Sequence, residues 1–329
     1  MTKTEYVNDL IERLGNENLR PGLSLPPGVI YQSSLTIASE ARDEAYELAD
    51  PDLIEPLKIR LEKEKNTSTR IDIIRLLVRI ADRVNDHPIA DYILATVRLE
   101  KARWIQDVAL ESLAESKLEI WNEKEYLFEL IQHKHWRIKM NALILLKTLD
   151  STYSPRIEDF CLTALKSKST KPNELSWFCN VLSRHGSDKS LDVLKEIART
   201  SDKYYTVNAA ASAIAAINGK GQLAFFAEIL DTNKNNYVKS NQTSILCQFG
   251  DDTVVDSLIK RAKAILSKAR KTSVTYVGRA KPELVHICEF LLQHRNAKVE
   301  EFLYLVKNKK YNMMDETEKK WFDTHITFV

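Results

Sequence analysis

Apolar side chains at helical spacing run through almost the whole of this chain, and that spacing most limits the folds open to it. The pattern holds from about residue 34 to about residue 308, and clusters of Gly, Pro, Asn or Asp break it every 14 to 18 residues. Only 8 of the 329 residues are glycine, against about 7% in average proteins. Rossmann, phosphate-binding-loop and β-barrel folds need more glycine at positive φ or beside phosphates. The sequence therefore predicts an all-α protein of paired helices.

The beginnings of several helices repeat one another. In ARWIQDVALESLAES and HWRIKMNALILLKTL, an isoleucine (Ile105, Ile138) is followed by alanine four and leucine eight residues later. Val207 and Val238 begin similar segments, which places the four anchors 33, 69 and 31 residues apart, with one further unit inside the long interval. A small residue within an apolar helix face lets a neighbouring helix approach closely. Such a period is typical of helical repeat proteins.

This arrangement of an aromatic residue, a β-branched residue, alanine and leucine resembles the first helix of HEAT-like repeats, which have the armadillo-type fold. The segment HWRIKMNALILLKTL is the closest match. The resemblance implies a right-handed α-solenoid of about eight HEAT-like helical hairpins. It divides the chain into an N-terminal helix with a proline-rich lead-in (1–33), the repeat solenoid (34–311) and a C-terminal capping helix with a tail (312–329).

Two local details of the repeats carry expectations of their own. Gly186 and Gly250 follow predicted first helices, where a left-handed residue often ends a helix. Arg75 and Arg79 fall where one register of the repeat expects apolar residues, so the register of residues 67–84 stays open.

The sequence offers no convincing catalytic set, and we expect no catalytic residue, metal ion or cofactor. His133 and His135 form a histidine pair without further metal ligands nearby, so a turn or capping role is the stronger interpretation. Trp104 with Asp107, and Trp177 further along, resemble the aromatic and acidic residues of HEAT-like DNA glycosylases of the alkylation-repair type. That resemblance implies an acid acting against a cationic lesion. The four cysteines lie far apart with no CxxC pair, which favours buried thiols in a reducing compartment.

Charge is distributed unevenly along the chain. The net charge is +2, but residues 1–64 carry −6 and the remaining residues +8. The densest cluster, here called the basic run, has no acid among its members: Lys260, Arg261, Lys263, Lys268, Arg270, Lys271, Arg279 and Lys281. It is either a solvated helix face or a ligand-binding patch. More cations recur near the ends of the other second helices, so stacked hairpins predict a basic stripe along one edge.

Aromatic residues stand near the hairpin junctions, beside the expected stripe. They are Trp104, Trp136, Trp177, Tyr205 and Tyr237. Packing between neighbouring repeats explains them most simply, because this position of HEAT-like repeats is often aromatic. Exposed aromatic side chains would instead be able to stack on nucleic-acid bases or anchor a peptide.

Two functions remain open from the sequence. The repeat resemblance favours a non-enzymatic interaction scaffold whose concave surface, lined mainly by second helices, grips a partner protein, an acidic one if the stripe is the contact. The alternative is a nucleic-acid-binding protein, with the glycosylase as its enzymatic form. No apolar run approaches the roughly 20 residues that cross a bilayer, and the first residues lack the pattern of a secretory signal. We therefore expect a cytoplasmic protein without membrane contact, whose partner and oligomeric state the sequence leaves open.

Overall fold

The computed structural model describes residues 1–24, 28, 33–167, 170–267 and 281–326. These residues form eighteen α-helices and no β-strand, as the sequence predicts. The helices are α1 (Lys3–Leu14), α2 (Ile37–Glu47), α3 (Ile54–Lys63), α4 (Thr67–Val84), α5 (Pro88–Leu99), α6 (Arg103–Glu115), α7 (Lys124–Leu130), α8 (Trp136–Thr148), α9 (Ser154–Lys166), α10 (Pro172–His185), α11 (Leu191–Thr200), α12 (Tyr204–Asn218), α13 (Leu223–Thr232), α14 (Asn236–Phe249), α15 (Val255–Ile265), α16 (Glu283–Gln293), α17 (Ala297–Leu305) and α18 (Glu316–His325).

The chain divides into two compact units, Met1–Ser151 and Thr152–Val329. The first unit contains α1 to α8 and the second contains α9 to α18. The region that the sequence predicts as one repeat array, residues 34–311, is therefore shared between the two units.

Successive even-numbered helices form a layer in the first unit. Helix α4 packs against α6, and α6 against α8, while α3, α5 and α7 each pack against the even-numbered helix that follows. We call α2, α4, α6 and α8 the first helices of their hairpins. Helix α1 contacts α2, α3 and α4 and buries Val7, Leu10, Ile11 and Leu14 there. It covers apolar surface at the end of this unit.

The second unit repeats this arrangement. Helices α10, α12, α14 and α16 are its first helices and pack in that order, with α11, α13 and α15 each packed against the next first helix. Helix α12 is rich in alanine, and Ala209, Ala210, Ala211 and Ala213 are buried. Short side chains let α10 and α12 approach closely. The last helix, α18, packs on α16 and buries Phe322, as the sequence predicts for a capping helix.

The two glycines that end first helices do so without a left-handed conformation, so that expectation is wrong at both positions. Gly186 (φ −76°, ψ 155°) and Gly250 (φ −68°, ψ 163°) are extended. Crowding is the reason for glycine here: a Cβ atom on Gly250 would lie 2.3 Å from the Leu246 carbonyl oxygen and 2.6 Å from Val254 Cγ2. After each of these glycines, the backbone turns sharply across the end of the helix and enters the short helical turn that follows.

None of the described helices combines the length and the apolar character needed to cross a bilayer.

The structure settles the register of α4: Ile73, Ile74 and Leu77 are buried while Arg75 is exposed. The arginines that the repeat pattern left ambiguous therefore lie outside the core.

Candidate functional site

The described residues hold no metal-binding cluster of three or more His, Cys, Asp or Glu side chains. The His133–His135 pair serves the turn before α8: the His135 N–H donates to His133 Nδ1 at 3.2 Å, and the two ring centroids are 5.2 Å apart. Partial desolvation and the nearby Arg103 lower the pKa of His135. This is the turn role that the sequence favours for the pair.

All four cysteines are free thiols. Cys161, Cys179 and Cys288 are buried, and burial raises the pKa of Cys179 and Cys288 to about 12. Cys247 is partly exposed, but desolvation raises its pKa to about 12 as well. A thiol with so high a pKa carries almost no thiolate at neutral pH, so none of them is an activated nucleophile.

Asp107, the acid of the glycosylase hypothesis, is part of the contact between α6 and α8. It is buried, and its carboxylate lies 2.8 Å from the Arg137 guanidinium. Asn141 donates to both its backbone oxygen (3.3 Å) and its carboxylate (3.4 Å). Arg137 also lies over the Trp104 ring, 5.9 Å from its centroid. Trp177, the third residue of the hypothesis, belongs to the other unit.

Half of the basic run is described, and most of that half is paired. The guanidinium of Arg261 forms two hydrogen bonds with Glu283 (2.8 and 3.0 Å), Lys260 lies 2.8 Å from Asp231, and Lys281 lies 2.6 Å from Glu289. Lys263 is exposed. Lys268, Arg270, Lys271 and Arg279 lie outside the described residues. The acids that the run itself lacks are supplied in space by other segments of the second unit.

Two cations of the basic run line a cavity in the second unit. Lys260 and Lys263, on α15, face Lys298 on α17 across a space of about 410 Å³. Its floor is apolar, with Ile259, Phe302 and Leu305. Lys298 is held by Asp256 at 2.6 Å, so the lining is close to neutral once its ion pairs are counted.

The predicted aromatic residues are more exposed than packing between repeats requires. Trp104 is 52% exposed, Tyr205 39% and Tyr237 70%, while Trp136 and Trp177 are half-buried. Trp104 and Trp136 belong to the first unit and the other three to the second. The five therefore form no single surface that the structure defines.

A small tyrosine cluster lies at the beginnings of α12 and α14. The Tyr204 ring centroid is 5.2 Å from that of Tyr237 and 5.7 Å from that of Tyr205. All three rings are exposed, and Asn208 donates to the Tyr237 carbonyl oxygen at 3.4 Å. The sequence singled out Tyr205 and Tyr237 but not Tyr204, which brings them into contact.

One feature that the sequence did not predict is a groove over the first helices of the first unit, here called the α4 groove. It consists of two adjoining cavities of about 540 and 360 Å³. Both are lined by Tyr46 on α2 and by Arg75 and Arg79 on α4. Glu111, Ser112, Glu115 and Ser116 line only the first cavity, and Leu14, Arg42 and Asp43 only the second. The α4 arginines therefore occupy the middle of the groove.

The two central arginines of the α4 groove form no close ion pair with a described residue, although the Asp72 carboxylate is near enough to Arg75 for the arginine charge to lower its pKa. Neither Arg75 nor Arg79 forms an ion pair or a side-chain hydrogen bond among the described residues; the Arg79 guanidinium instead lies 4.9 Å from the centroid of the Tyr46 ring. Tyr46 is 57% exposed. Arg75 and Arg79 are one helical turn apart and so share a face of α4. The groove thus presents two guanidiniums and an aromatic ring to any bound molecule.

A half-buried acid, Asp72, lies beside these arginines. Burial raises the pKa of Asp72, and the nearby Arg75 and Arg42 only partly oppose that effect. The one signal in the sequence that could have located the groove was the pair of arginines at positions where the repeat expects apolar residues. In the sequence this pair indicates only an open register, because a single sequence does not show which helices lie alongside α4.

Known proteins do not supply a function for this chain. It matches no protein-family model, and no curated protein matches it significantly. The α4 groove, the tyrosine cluster and the paired cations are the features of this chain that bear on its function.

Proposed function

We propose that this chain is a non-enzymatic interaction scaffold built from about eight HEAT-like helical hairpins, and that a partner protein binds in the α4 groove. The observation that carries the proposal is the unpartnered pair Arg75 and Arg79 beside the exposed Tyr46 ring. Arginine and tyrosine dominate the energy of many protein interfaces, because they combine area with directed hydrogen bonds. Catalysis finds no comparable support in the described residues.

The packing of the helices supports this choice of surface. In both units the first helices contact one another more extensively than the second helices do. The α4 groove lies on this layer. We therefore place the binding surface on the first helices, whereas the sequence interpretation places it on the second helices.

Site-specific photocrosslinking tests the proposal. We expect Tyr46→p-benzoylphenylalanine, expressed in the native cell, to give one discrete adduct, because its ring faces the groove. The adduct is identified by mass spectrometry, and the purified partner is then titrated against the parent protein by calorimetry. Arg75→Glu with Arg79→Glu should weaken that binding by at least about tenfold, since like charges replace attractive contacts at the centre of the interface.

Two controls keep this result specific. Tyr304→p-benzoylphenylalanine places the same probe at a residue of similar exposure, 61% against 57%, in the other unit. Lys65→Glu with Lys101→Glu makes the same change of charge at exposed loop positions before α4 and α6. Equal adducts at both probe positions, or equal loss of affinity in both charge variants, would exclude the α4 groove as the binding surface.

A second candidate function, binding of single-stranded nucleic acid, is favoured by the exposed tyrosine cluster. Bases stack on such rings at about 1–3 kcal/mol per base. Against it, the described cations of the basic run are mostly paired with acids, which leaves fewer charges for phosphates. The scaffold proposal ranks first for that reason.

Fluorescence anisotropy of a labelled strand separates the two functions. For the scaffold we expect no change in anisotropy up to micromolar protein at roughly 50 mM salt, for single or double strands. Binding with a salt slope of several phosphate contacts, about −0.7 each for a single strand, would instead favour nucleic acid. If such binding is seen, two variants test which residues make the contacts: Tyr204→Ala with Tyr237→Ala for stacking on bases, and Lys260→Gln with Lys263→Gln for contacts with phosphates. Arg261 is kept, because its pairing with Glu283 is part of the fold.

A further inference from the structure

We propose that the segment docking in the α4 groove carries an acidic residue at its centre and a basic residue on each side. This inference rests on the proposed function and names the chemistry of the partner. It follows from the order of charges across the groove. Arg75 and Arg79 line both cavities, so cations occupy the middle, whereas carboxylates dominate each outer side.

The side of the groove formed by α6 is acidic. Glu111 and Glu115 lie one helical turn apart on α6 and line the first cavity together with Asp82. Asp82 accepts a hydrogen bond from the Lys117 backbone N–H at 2.6 Å, and Glu111 is approached by the exposed Arg137 at 3.3 Å. The Arg137 guanidinium is shared with Asp107, which lies closer to it at 2.8 Å, and the backbone N–H brings no charge to Asp82. The carboxylates on this side therefore outnumber their cations, and the side attracts cations.

The opposite side, formed by α2 and the beginning of α4, is acidic as well. Asp43 and Asp72 line the second cavity, and the Arg42 guanidinium there is 2.7 Å from Glu17, which neutralises it. Burial raises the pKa of Asp72, which shows that the fold alone does not favour its charged form. A cation on the partner would favour that form.

The groove as a whole therefore alternates in charge. It is acidic along α6, basic along the centre of α4, and acidic where Asp43 on α2 and Asp72 at the beginning of α4 line the second cavity. A uniformly acidic segment would be repelled by both sides, and a uniformly basic one by the centre. Juxtaposed like charges cost several kcal/mol and are a common source of specificity. A basic–acidic–basic segment satisfies all three rows at once.

The spacing of the rows fixes the spacing of the charges. Packed helices lie about 8–10 Å apart, and α4 packs against α6, so their rows are separated by about that distance. Helix α2 lines the second cavity together with α4, and the same spacing is used for the peptides there. A helical segment covers it in about seven residues, which also returns to the same helix face. An extended segment covers it in about three residues. The groove fixes the order of the charges and the distance between them, but not whether the segment is helical or extended. Both spacings are therefore tested.

Synthetic peptides test the charge order on the intact protein. Two peptides carry the order lysine–glutamate–lysine, one with about seven-residue spacing in a helical background and one with about three-residue spacing in an extended background. Each has a counterpart of nearly equal length and opposite order, glutamate–lysine–glutamate, and a scrambled counterpart of equal composition. We expect one of the two matched peptides to bind about tenfold more tightly than both of its counterparts.

Charge reversal of the protein completes the test. Arg75→Glu with Arg79→Glu makes all three rows acidic, so this variant should lose the matched peptide and gain affinity for a uniformly basic peptide, lysine–lysine–lysine at the same spacing. Lys65→Glu with Lys101→Glu should keep the original preference. Circular dichroism of both variants confirms that they are folded. Rescue by the uniformly basic peptide is a result that simple loss of structure does not produce.

The outcomes also separate this inference from the proposed function. A crosslinked partner at Tyr46, combined with no preference between matched and scrambled peptides, would overturn the charge order and leave the scaffold proposal standing. If neither the crosslink nor the peptides report on the groove, both proposals fall. Preference for the matched order, shifted to the uniformly basic peptide by the arginine substitutions, supports both.

Discussion

Replacing Glu158 by alanine is expected to lower the free energy of unfolding by about 2–3 kcal/mol. The Glu158 carboxylate is buried in the second unit and accepts hydrogen bonds from three donor groups at once. Ser187 donates from its backbone N–H (2.8 Å) and its hydroxyl (2.8 Å), and Ser190 donates from its hydroxyl (2.5 Å). Removing the acceptor leaves the fully buried Ser190 hydroxyl without this partner, which costs its desolvation energy, and it also removes the two charge-assisted hydrogen bonds from the exposed Ser187.

Asp159 supplies a matched control for this prediction. It is the next residue on α9, carries the same charge and is exposed, with an ion pair to Lys189. Exposed ion pairs contribute about 0–1 kcal/mol, so Asp159→Ala should change urea unfolding little. Similar losses for the two variants would mean that the turn before α11 does not depend on the Glu158 carboxylate.

The sequence predicted the helical class and the main helix positions because these depend on local chemistry. Apolar spacing determines which face a helix buries, as in the segment HWRIKMNALILLKTL, where α8 begins at Trp136 and buries Ile138, Ala142 and Leu146. Reasoning from sequence failed where a neighbour decided the conformation. Gly250 is the example: its need for glycine comes from Val254 and the Leu246 carbonyl group, whose positions only the fold defines.

The site was less predictable than the fold, because it depends on which charges meet in space. The basic run has no acid among its own residues, yet Glu283 neutralises Arg261 and Asp231 neutralises Lys260. Conversely, Arg75 and Arg79 sit among acids on α4 and still have no ion pair with a described residue. Unpaired charge, and not the density of charge along the chain, distinguishes a candidate binding surface here.

Several cations at helix ends connect neighbouring hairpins. Arg98 lies 2.7 Å from Glu123, and Arg199 forms two hydrogen bonds with Glu228, at 2.9 and 2.7 Å. The expected basic stripe is therefore used in part as a set of braces between hairpins. This leaves the α4 groove as the stronger candidate for recognition.

Arg137 is the brace whose removal should be most costly. Arg137→Met keeps most of its length but leaves the buried Asp107 carboxylate without its cation, and we expect a loss of about 2–4 kcal/mol in the free energy of unfolding at neutral pH. Burial already raises the pKa of Asp107, and Arg137 opposes that effect. Without Arg137 the pKa rises further. Because protonated Asp107 carries no charge, the loss should shrink as the pH falls toward the ordinary Asp value of about 3.9.

A double substitution separates the structural role of Asp107 from a catalytic one. If Asp107 serves the contact between α6 and α8, Asp107→Asn should restore much of the stability lost in Arg137→Met, because a neutral amide needs no cation and still accepts from Asn141. Urea unfolding of the four proteins of the cycle at pH 7 gives the coupling energy directly. Additive losses would show that the pair is not coupled and would overturn the structural role. The glycosylase alternative requires a different result, loss of base excision from alkylated DNA in Asp107→Asn, and a parent protein without that activity would exclude it.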